Sequence, residues 1–203
     1  MKKKLPQILI GTGLVLILAS CLLFIYIFAP VASVEVNYSL HKPTKTVNQI
    51  TPVDKNFGIV IPKIGANARI IENVDPFNSY AYEAALARGV AQAKGTTFPN
   101  QSGNMFLFSH SSANLFEATR FNSIFYLLSK LKKGDDVYVY YKGTRYKYTV
   151  SDMKIVDPTD VSYLNPKSKT KQLTLMTCWP AGTNYKRLIV IATSEQLDNS
   201  TVN

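Results

Sequence analysis

The chain has 203 residues, of which 46% are hydrophobic and 11% aromatic, enough for one folded domain with a membrane or linker segment to spare. The formal net charge is +10, but Lys and Arg are scattered, and no recognition helix or aromatic RNA-binding signature accompanies them. Composition therefore argues against a nucleic-acid-binding protein and favours a solvated basic surface, which outside a cell would face anionic wall polymers and lipid headgroups.

The N-terminus predicts a membrane anchor. Lys2-Lys3-Lys4 precedes a stretch, residues 5–34, that contains no charged side chain. Its densest part, residues 8–28, matches the roughly 20 apolar residues that cross a bilayer as a helix. Because the positive charge stands before this span, we expect the N-terminus in the cytoplasm and the rest of the chain outside the cell membrane. Residues 1–34 are therefore interpreted as a basic tail and a transmembrane signal anchor.

Two other types of leader compete with this interpretation. A cleaved signal peptide has a shorter apolar core, of about 7–15 residues, than the one present here. The segment Leu18-Ala19-Ser20-Cys21 resembles a bacterial lipobox, but lipidated cysteines are normally followed by a polar tether and residues 22–25 are apolar. The pattern favours an uncleaved anchor with Cys21 inside the span, and lipidation of Cys21 stays the alternative.

The remaining chain divides by polarity. Residues 35–56 are polar, contain Pro43 and Pro52 and show no apolar periodicity, which predicts an extracellular linker. A folded domain is predicted over residues 57–197, followed by a polar tail over residues 198–203.

Short apolar runs and two helical patterns alternate within the folded domain. Helical spacing predicts one helix over residues 80–88, with Gly89 as its cap, and another over residues 121–133. Strands are predicted over residues 59–61, 69–71, 105–109, 137–141, 144–150, 155–156, 173–178 and 188–192. Lys142-Gly143 joins two of these strands in a hairpin. Many short strands with few helices predict a mostly β domain, closed or nearly closed into a barrel.

Three chemically active side chains stand at strand ends. Cys178 ends one run, His110 follows another, and Arg187 precedes a third. Because the other cysteine lies in the apolar span, Cys178 has no intrachain partner, and a lone exported thiol suggests reactivity. Cys178 would act as the nucleophile and His110 as general acid and base. Arg187 stays protonated, so it would favour the thiolate and stabilise a developing oxyanion.

Each of these residues also has a structural interpretation. Cys178 could be an inert buried cysteine, His110 a hydrogen-bonding core histidine and Arg187 a surface charge. Their combined order, with Arg187 nine residues beyond the thiol, favours a cysteine acyl-transfer site.

No cofactor is predicted. Asp152, Asp157 and Asp160 could ring a calcium ion, but their spacing matches no cation loop, so calcium is possible without support.

The motif Thr174-Leu175-Met176-Thr177-Cys178, with Arg187, resembles the signature of the sortases, the membrane-anchored cysteine transpeptidases of bacteria. The resemblance extends through residues 58–64, 87–90, 95–96 and 103–104 to His110, and covers nearly all of residues 57–195. It implies a closed eight-stranded sortase-type β-barrel with a few short helices. It also implies the roles of nucleophile for Cys178, acid and base for His110 and oxyanion stabilisation for Arg187.

The resemblance also implies a reaction and its partners. A sorting signal such as Leu-Pro-x-Thr-Gly on a surface protein would be cleaved after the threonine, which gives a thioacyl enzyme. An amine, from a peptidoglycan precursor or a pilin lysine, would then accept the acyl group. A membrane-anchored cell-wall cysteine peptidase and a non-catalytic tethered binding module are the alternative functions.

The subclass depends on Asp75-Pro76-Phe77, which resembles the lid of pilus-building sortases. In those enzymes the lid precedes the first barrel strand, whereas here it follows residues 59–61, so we interpret it as an ordinary turn. No second apolar span follows Ala192. The class stays open, with a housekeeping, class-D-like or class-E-like role favoured over pilus class C.

Overall fold

The computed structural model describes residues 4–40, 50–111, 124–165 and 170–194 of the chain. The chain separates into two compact units, Met1–Leu40 and His41–Asn203. The first unit is a single helix, α1 (Lys4–Leu40), of 37 residues. Within it, Leu9–Tyr26 is long and apolar enough to cross a membrane.

Helix α1 continues beyond the boundary expected from sequence. The predicted linker began at residue 35, but residues 35–40 are helical. None of these six residues is Pro or Gly, so nothing in the backbone stops the helix there. Residues 41–49 of the predicted linker lie outside the described residues. Residues 51–56 belong to the second unit and are hydrogen-bonded within it: Thr51 O accepts from Asn67 Nδ2, Lys55 O from Gly143 N and Asn56 O from Lys142 N.

The second unit is a closed β-barrel of eight strands. In chain order the strands are β1 (Phe57–Ile61), β2 (Ala66–Val74), β3 (Val90–Ala93), β4 (Gly103–Phe108), β5 (Asp136–Tyr141), β6 (Thr144–Val156), β7 (Lys171–Trp179) and β8 (Lys186–Thr193). Around the barrel they follow the order β1-β2-β3-β4-β7-β8-β6-β5. The pairs β2–β3 and β4–β7 are parallel, and the other neighbours are antiparallel. The predicted eight-stranded barrel is therefore confirmed.

The barrel interior is filled by the apolar runs that predicted the strands. Many of the largest fully buried side chains come from β1, β4, β7 and β8: Ile59, Ile61, Met105, Leu107, Leu173, Leu175 and Ile189. Burial of one such side chain contributes about 1.5–3 kcal/mol to folding. This core stabilises the register of β4, β7 and β8, the strands that carry Cys178 and Arg187 or lead to His110.

The predicted hairpin is confirmed. Lys142 and Gly143 both have positive φ, 50° and 81°, as a two-residue turn of the primed type between right-twisted strands requires. The predicted short strand at residues 155–156 is the end of the long strand β6, which shifts register against β8 between Val150 and Asp152.

The two predicted helices have different outcomes. The first is confirmed as α2 (Ser79–Leu86), whose N-terminus is capped by Asn78 through its side chain and Ala81 N. Helix α2 ends before Gly89, which is therefore not its cap. A Cβ at Gly89 would lie 2.4 Å from Arg69 O, so glycine permits the close approach to β2.

The second helix prediction is wrong over residues 124–133, where only a short 3₁₀ helix, Tyr126–Lys130, forms. Phe125 and Leu128 are fully buried, and their packing in the core outweighs the helical preference of the segment. Residues 121–123 lie outside the described residues.

Candidate active site

A pocket of about 550 Å³ opens where β4, β7 and β8 meet α2. Its walls come from the end of β4, the end of β7, the start of β8, the loop 180–185 and helix α2 with the preceding turn. His110, Cys178 and Arg187 all line it. The structure thus brings together, on one pocket, the three residues that the sequence placed at separate strand ends.

Cys178 and Arg187 are held side by side by the pairing of β7 with β8. They are direct register partners across the antiparallel ladder. Side chains opposite each other in such a pair have Cβ atoms about 4.5–5.5 Å apart on the same face of the sheet. The nine-residue spacing in the sequence is therefore the spacing of one hairpin, in which the loop 180–185 joins the two strand ends.

His110 lies beside Cys178 along the barrel axis, on the side of β7 opposite to β8, because it follows the neighbouring strand β4. Strand β4 runs parallel to β7 with Phe108 opposite Met176, and the chain beyond β4 keeps this alignment. Ser109 N donates to Met176 O at 3.2 Å, and Thr177 Oγ1 donates to Ser109 O at 2.9 Å. These two hydrogen bonds connect Ser109, which precedes His110, to Met176 and Thr177, which precede Cys178.

The side chain of His110 contacts helix α2. Its Nε2 lies 3.1 Å from Oε2 of Glu83, which also lines the pocket. The histidine side chain is 20% exposed and that of the glutamate 56% exposed. Glu83 was not among the candidate residues from the sequence, because nothing in residues 79–86 beyond helical spacing marks one acidic position as facing a pocket.

Arg187 is held by its own loop. Its Nη1 donates to Asn184 O and to Lys186 O, both at 3.1 Å. Two carbonyl groups thus orient one end of the guanidinium, whose planar fork carries further donors that can bind a substrate oxygen.

The environment of Cys178 disfavours its thiolate. Burial raises the pKa of the Cys178 thiol, the nearby Arg187 cation lowers it, Glu83 raises it, and the net pKa lies above the ordinary value. Arg187 therefore favours the thiolate, as expected, but the effect of burial is larger. At neutral pH the thiol of the free protein carries its proton.

We expect the alkylation of Cys178 to be slow at neutral pH and to accelerate with a midpoint above the pKa of an unperturbed thiol. Iodoacetamide labelling of the Cys21→Ala chain across pH measures this midpoint. Arg187→Gln should move the midpoint higher still, because it removes the cation that favours the thiolate. A wild-type midpoint below that of a free thiol would contradict this account of the site.

The three aspartates considered for calcium lie in turns and on β6. Asp157 accepts from Thr159 and Lys186, Asp160 accepts from Ser162, and Asp152 pairs with Lys133 and Lys154. Within the described ranges, no group of three or more His, Cys, Asp or Glu residues is placed to hold a metal ion. The segment at Asp75 forms a turn before α2, in which Asn78 N donates to Asp75 O, and Pro76 of this turn lines the pocket.

Comparison with known proteins identifies relatives over most of the chain. The family model described as the sortase domain matches residues 59–195. The chain is 28% identical over 133 residues to sortase D of Bacillus subtilis strain 168, covering 64% of this chain and 59% of that protein. It is 30% identical over 172 residues to sortase A of Streptococcus agalactiae, covering 84% of this chain and 64% of that protein. The chain thus spans about three fifths of the length of these relatives.

Solved structures give the same result. Sortase C-1 from Actinomyces oris matches with a TM-score of 0.58 at 27% identity, covering 82% of this chain and 85% of that chain. Sortase A from Corynebacterium diphtheriae matches with a TM-score of 0.58 at 26% identity, covering 81% and 71%. The Clostridium perfringens sortase D5 transpeptidase matches with a TM-score of 0.56 at 26% identity, covering 78% and 90%. Relatives of classes A, C and D match about equally, so these likenesses leave the class open.

Proposed function

This chain belongs to the sortase family, and we propose on that basis that it is a membrane-anchored cysteine transpeptidase. Its substrate is a surface protein with a sorting signal of the Leu-Pro-x-Thr-Gly type. The observation that carries the proposal is the convergence of His110, Cys178 and Arg187 on one pocket, with Cys178 and Arg187 as register partners. Nucleophile, proton carrier and oxyanion partner are the minimum set for acyl transfer through a thioester.

In the first half-reaction the enzyme is acylated. The thiol proton of Cys178 passes to His110, and the sulfur attacks the carbonyl carbon of the threonine. Arg187 holds the oxyanion that forms. The C–N bond to the glycine then breaks, and His110 returns the proton to the leaving amine. The raised pKa of Cys178 makes this coupled transfer necessary, since little thiolate exists before substrate binds.

In the second half-reaction an amine replaces the sulfur. Its nitrogen attacks the thioester carbon, His110 takes the proton that the nitrogen loses, and the C–S bond breaks to restore Cys178. The product is a new amide on a peptidoglycan precursor or a pilin lysine. Water can attack the same thioester, and hydrolysis therefore competes with transfer.

Arg187→Lys should slow acylation while the barrel stays folded. An ammonium keeps the charge, but it cannot bind both loop carbonyls and a substrate oxygen as the guanidinium fork does. We expect at least about a tenfold loss, and complete removal of the group in Arg187→Ala should approach the ~10²–10³ typical of one lost oxyanion donor. Single-turnover acylation measures the loss. Arg145→Lys, on the β5–β6 hairpin outside the pocket, is the matched control, and equal rates in the two Lys variants would remove Arg187 from the mechanism.

The catalytic domain should lie outside the cytoplasmic membrane. Positive charge stands before the apolar part of α1, and orientation follows the side that carries Lys and Arg. Protease added to intact cells without walls should therefore degrade the barrel. Protection until the cells are lysed would reverse the proposed orientation.

Intact-mass analysis tests the covalent reaction. The chain incubated with a library of sorting peptides should gain the mass of the peptide fragment up to its threonine, on Cys178. A cell-wall cysteine peptidase would form an adduct that is hydrolysed by water but not transferred to an amine, and a tethered binding module would form no adduct. The absence of any adduct across the library would favour the binding module.

A further inference from the structure

Glu83 is an acidic side chain in the pocket that contains the proposed nucleophile, Cys178. It lies on α2 and lines the pocket that holds Cys178, and its charge raises the pKa of that thiol. Glu83 also contacts His110, and this contact is its second effect on the site.

The second effect acts through His110. The distance of 3.1 Å between Glu83 Oε2 and His110 Nε2 is that of a hydrogen bond. A carboxylate can only accept, so His110 donates from Nε2. In the neutral ring the other nitrogen, Nδ1, then carries the free lone pair, since one nitrogen donates while the other accepts. The contact selects one of the two tautomers of the neutral ring and also fixes the orientation of the ring.

Helix α2 is anchored well enough to hold this contact. Ala85 and Leu86, two and three residues beyond Glu83, are buried against Val74, Ala91 and Phe106 of the barrel. Asn78 caps the N-terminus of the helix. The carboxylate is thus presented from a rigid element, while its own side chain remains half-exposed at the pocket rim.

We propose that Glu83 is a positioning residue that holds His110 as the Nε2–H tautomer, so that Nδ1 is the nitrogen that takes and returns the proton in both half-reactions. The kinetic part of this proposal rests on the proposed function, whereas the tautomer does not. Half-exposed ion pairs are individually weak, so the effect of Glu83 on rate should be well below that of His110 itself.

The first experiment observes the tautomer in the full chain. Selective ¹⁵N-histidine labelling in detergent micelles gives signals from only two histidines, and His41→Gln assigns the other one. At a pH where the ring is neutral, the two ring-nitrogen shifts of His110 should show Nε2–H in the wild type. Glu83→Ala should lose this bias, and Glu72→Gln, which removes an exposed acidic charge outside the pocket, should keep it. A wild-type Nδ1–H form, or an unchanged tautomer in Glu83→Ala, would overturn the proposal.

The second experiment separates positioning from binding. In Glu83→Ala, kcat should fall about two- to fivefold, with acylation and aminolysis slowed alike, while KM for the sorting peptide stays unchanged. Glu83→Gln keeps the length and one acceptor oxygen, so it should recover part of the loss. A rise in KM with normal kcat would overturn the positioning role. Should the wild type form no acyl adduct, the proposed function fails, and the tautomer experiment still decides the role of Glu83.

Discussion

Cys178→Ala should abolish both the acyl adduct and the transpeptidation product while the barrel stays folded. The thiol is half-buried at the end of β7, and no other described residue on the pocket offers a comparable nucleophile. The core beneath it, including Leu173 and Leu175, is untouched by the substitution. Intact-mass analysis and product formation from a sorting peptide measure the loss, and circular dichroism measures the fold.

Cys21→Ala is the matched control. It removes the other cysteine of the chain, which lies in α1, and should leave both the adduct and the product rate unchanged. A Cys178→Ala chain that still formed product would exclude the thioester mechanism. An adduct that depended on Cys21 would move the covalent chemistry away from the barrel.

His110→Ala should slow turnover by about 10²–10⁴-fold, which is the usual contribution of a positioned general acid and base. The loss should be large here because burial keeps the thiol protonated, so the attack of the sulfur needs a proton acceptor. Both acylation and aminolysis should suffer, since the same imidazole carries the proton in each. Single-turnover acylation and the aminolysis of a preformed adduct measure the two steps separately.

His41→Ala is the control for this variant, because it removes the other histidine, in the predicted linker. It should turn over at the wild-type rate. A His110→Ala variant within a few-fold of the wild type would assign His110 a structural role and leave the proton transfer to another group.

Local chemistry made part of this structure predictable from the sequence. Lys142-Gly143 requires positive φ at both central positions of its turn, so it identified the β5–β6 hairpin. The apolar runs identified β4, β7 and β8 because each fills the same core. Closure into eight strands came from the resemblance to a family, since pairing partners such as β4 and β7, which run parallel, are set by tertiary contacts.

The remaining features depend on contacts that no local pattern encodes. The segment 124–133 has helical spacing, but the burial of Phe125 and Leu128 selects a 3₁₀ turn. Glu83 becomes relevant only when the fold brings α2 to His110, and its neighbours in sequence do not distinguish it. The raised pKa of Cys178 likewise results chiefly from burial, which depends on the packing around the pocket and not on the local sequence.

The partition of the acyl enzyme between amine and water decides whether this protein is a transpeptidase. The chain is incubated with a sorting peptide and increasing concentrations of an amine acceptor, and the hydrolysed and aminolysed products are quantified by mass. One shared thioester predicts that the amide rises at the expense of the hydrolysis product as amine is added. A product ratio that is indifferent to amine concentration would contradict transfer and identify the protein as a cysteine peptidase.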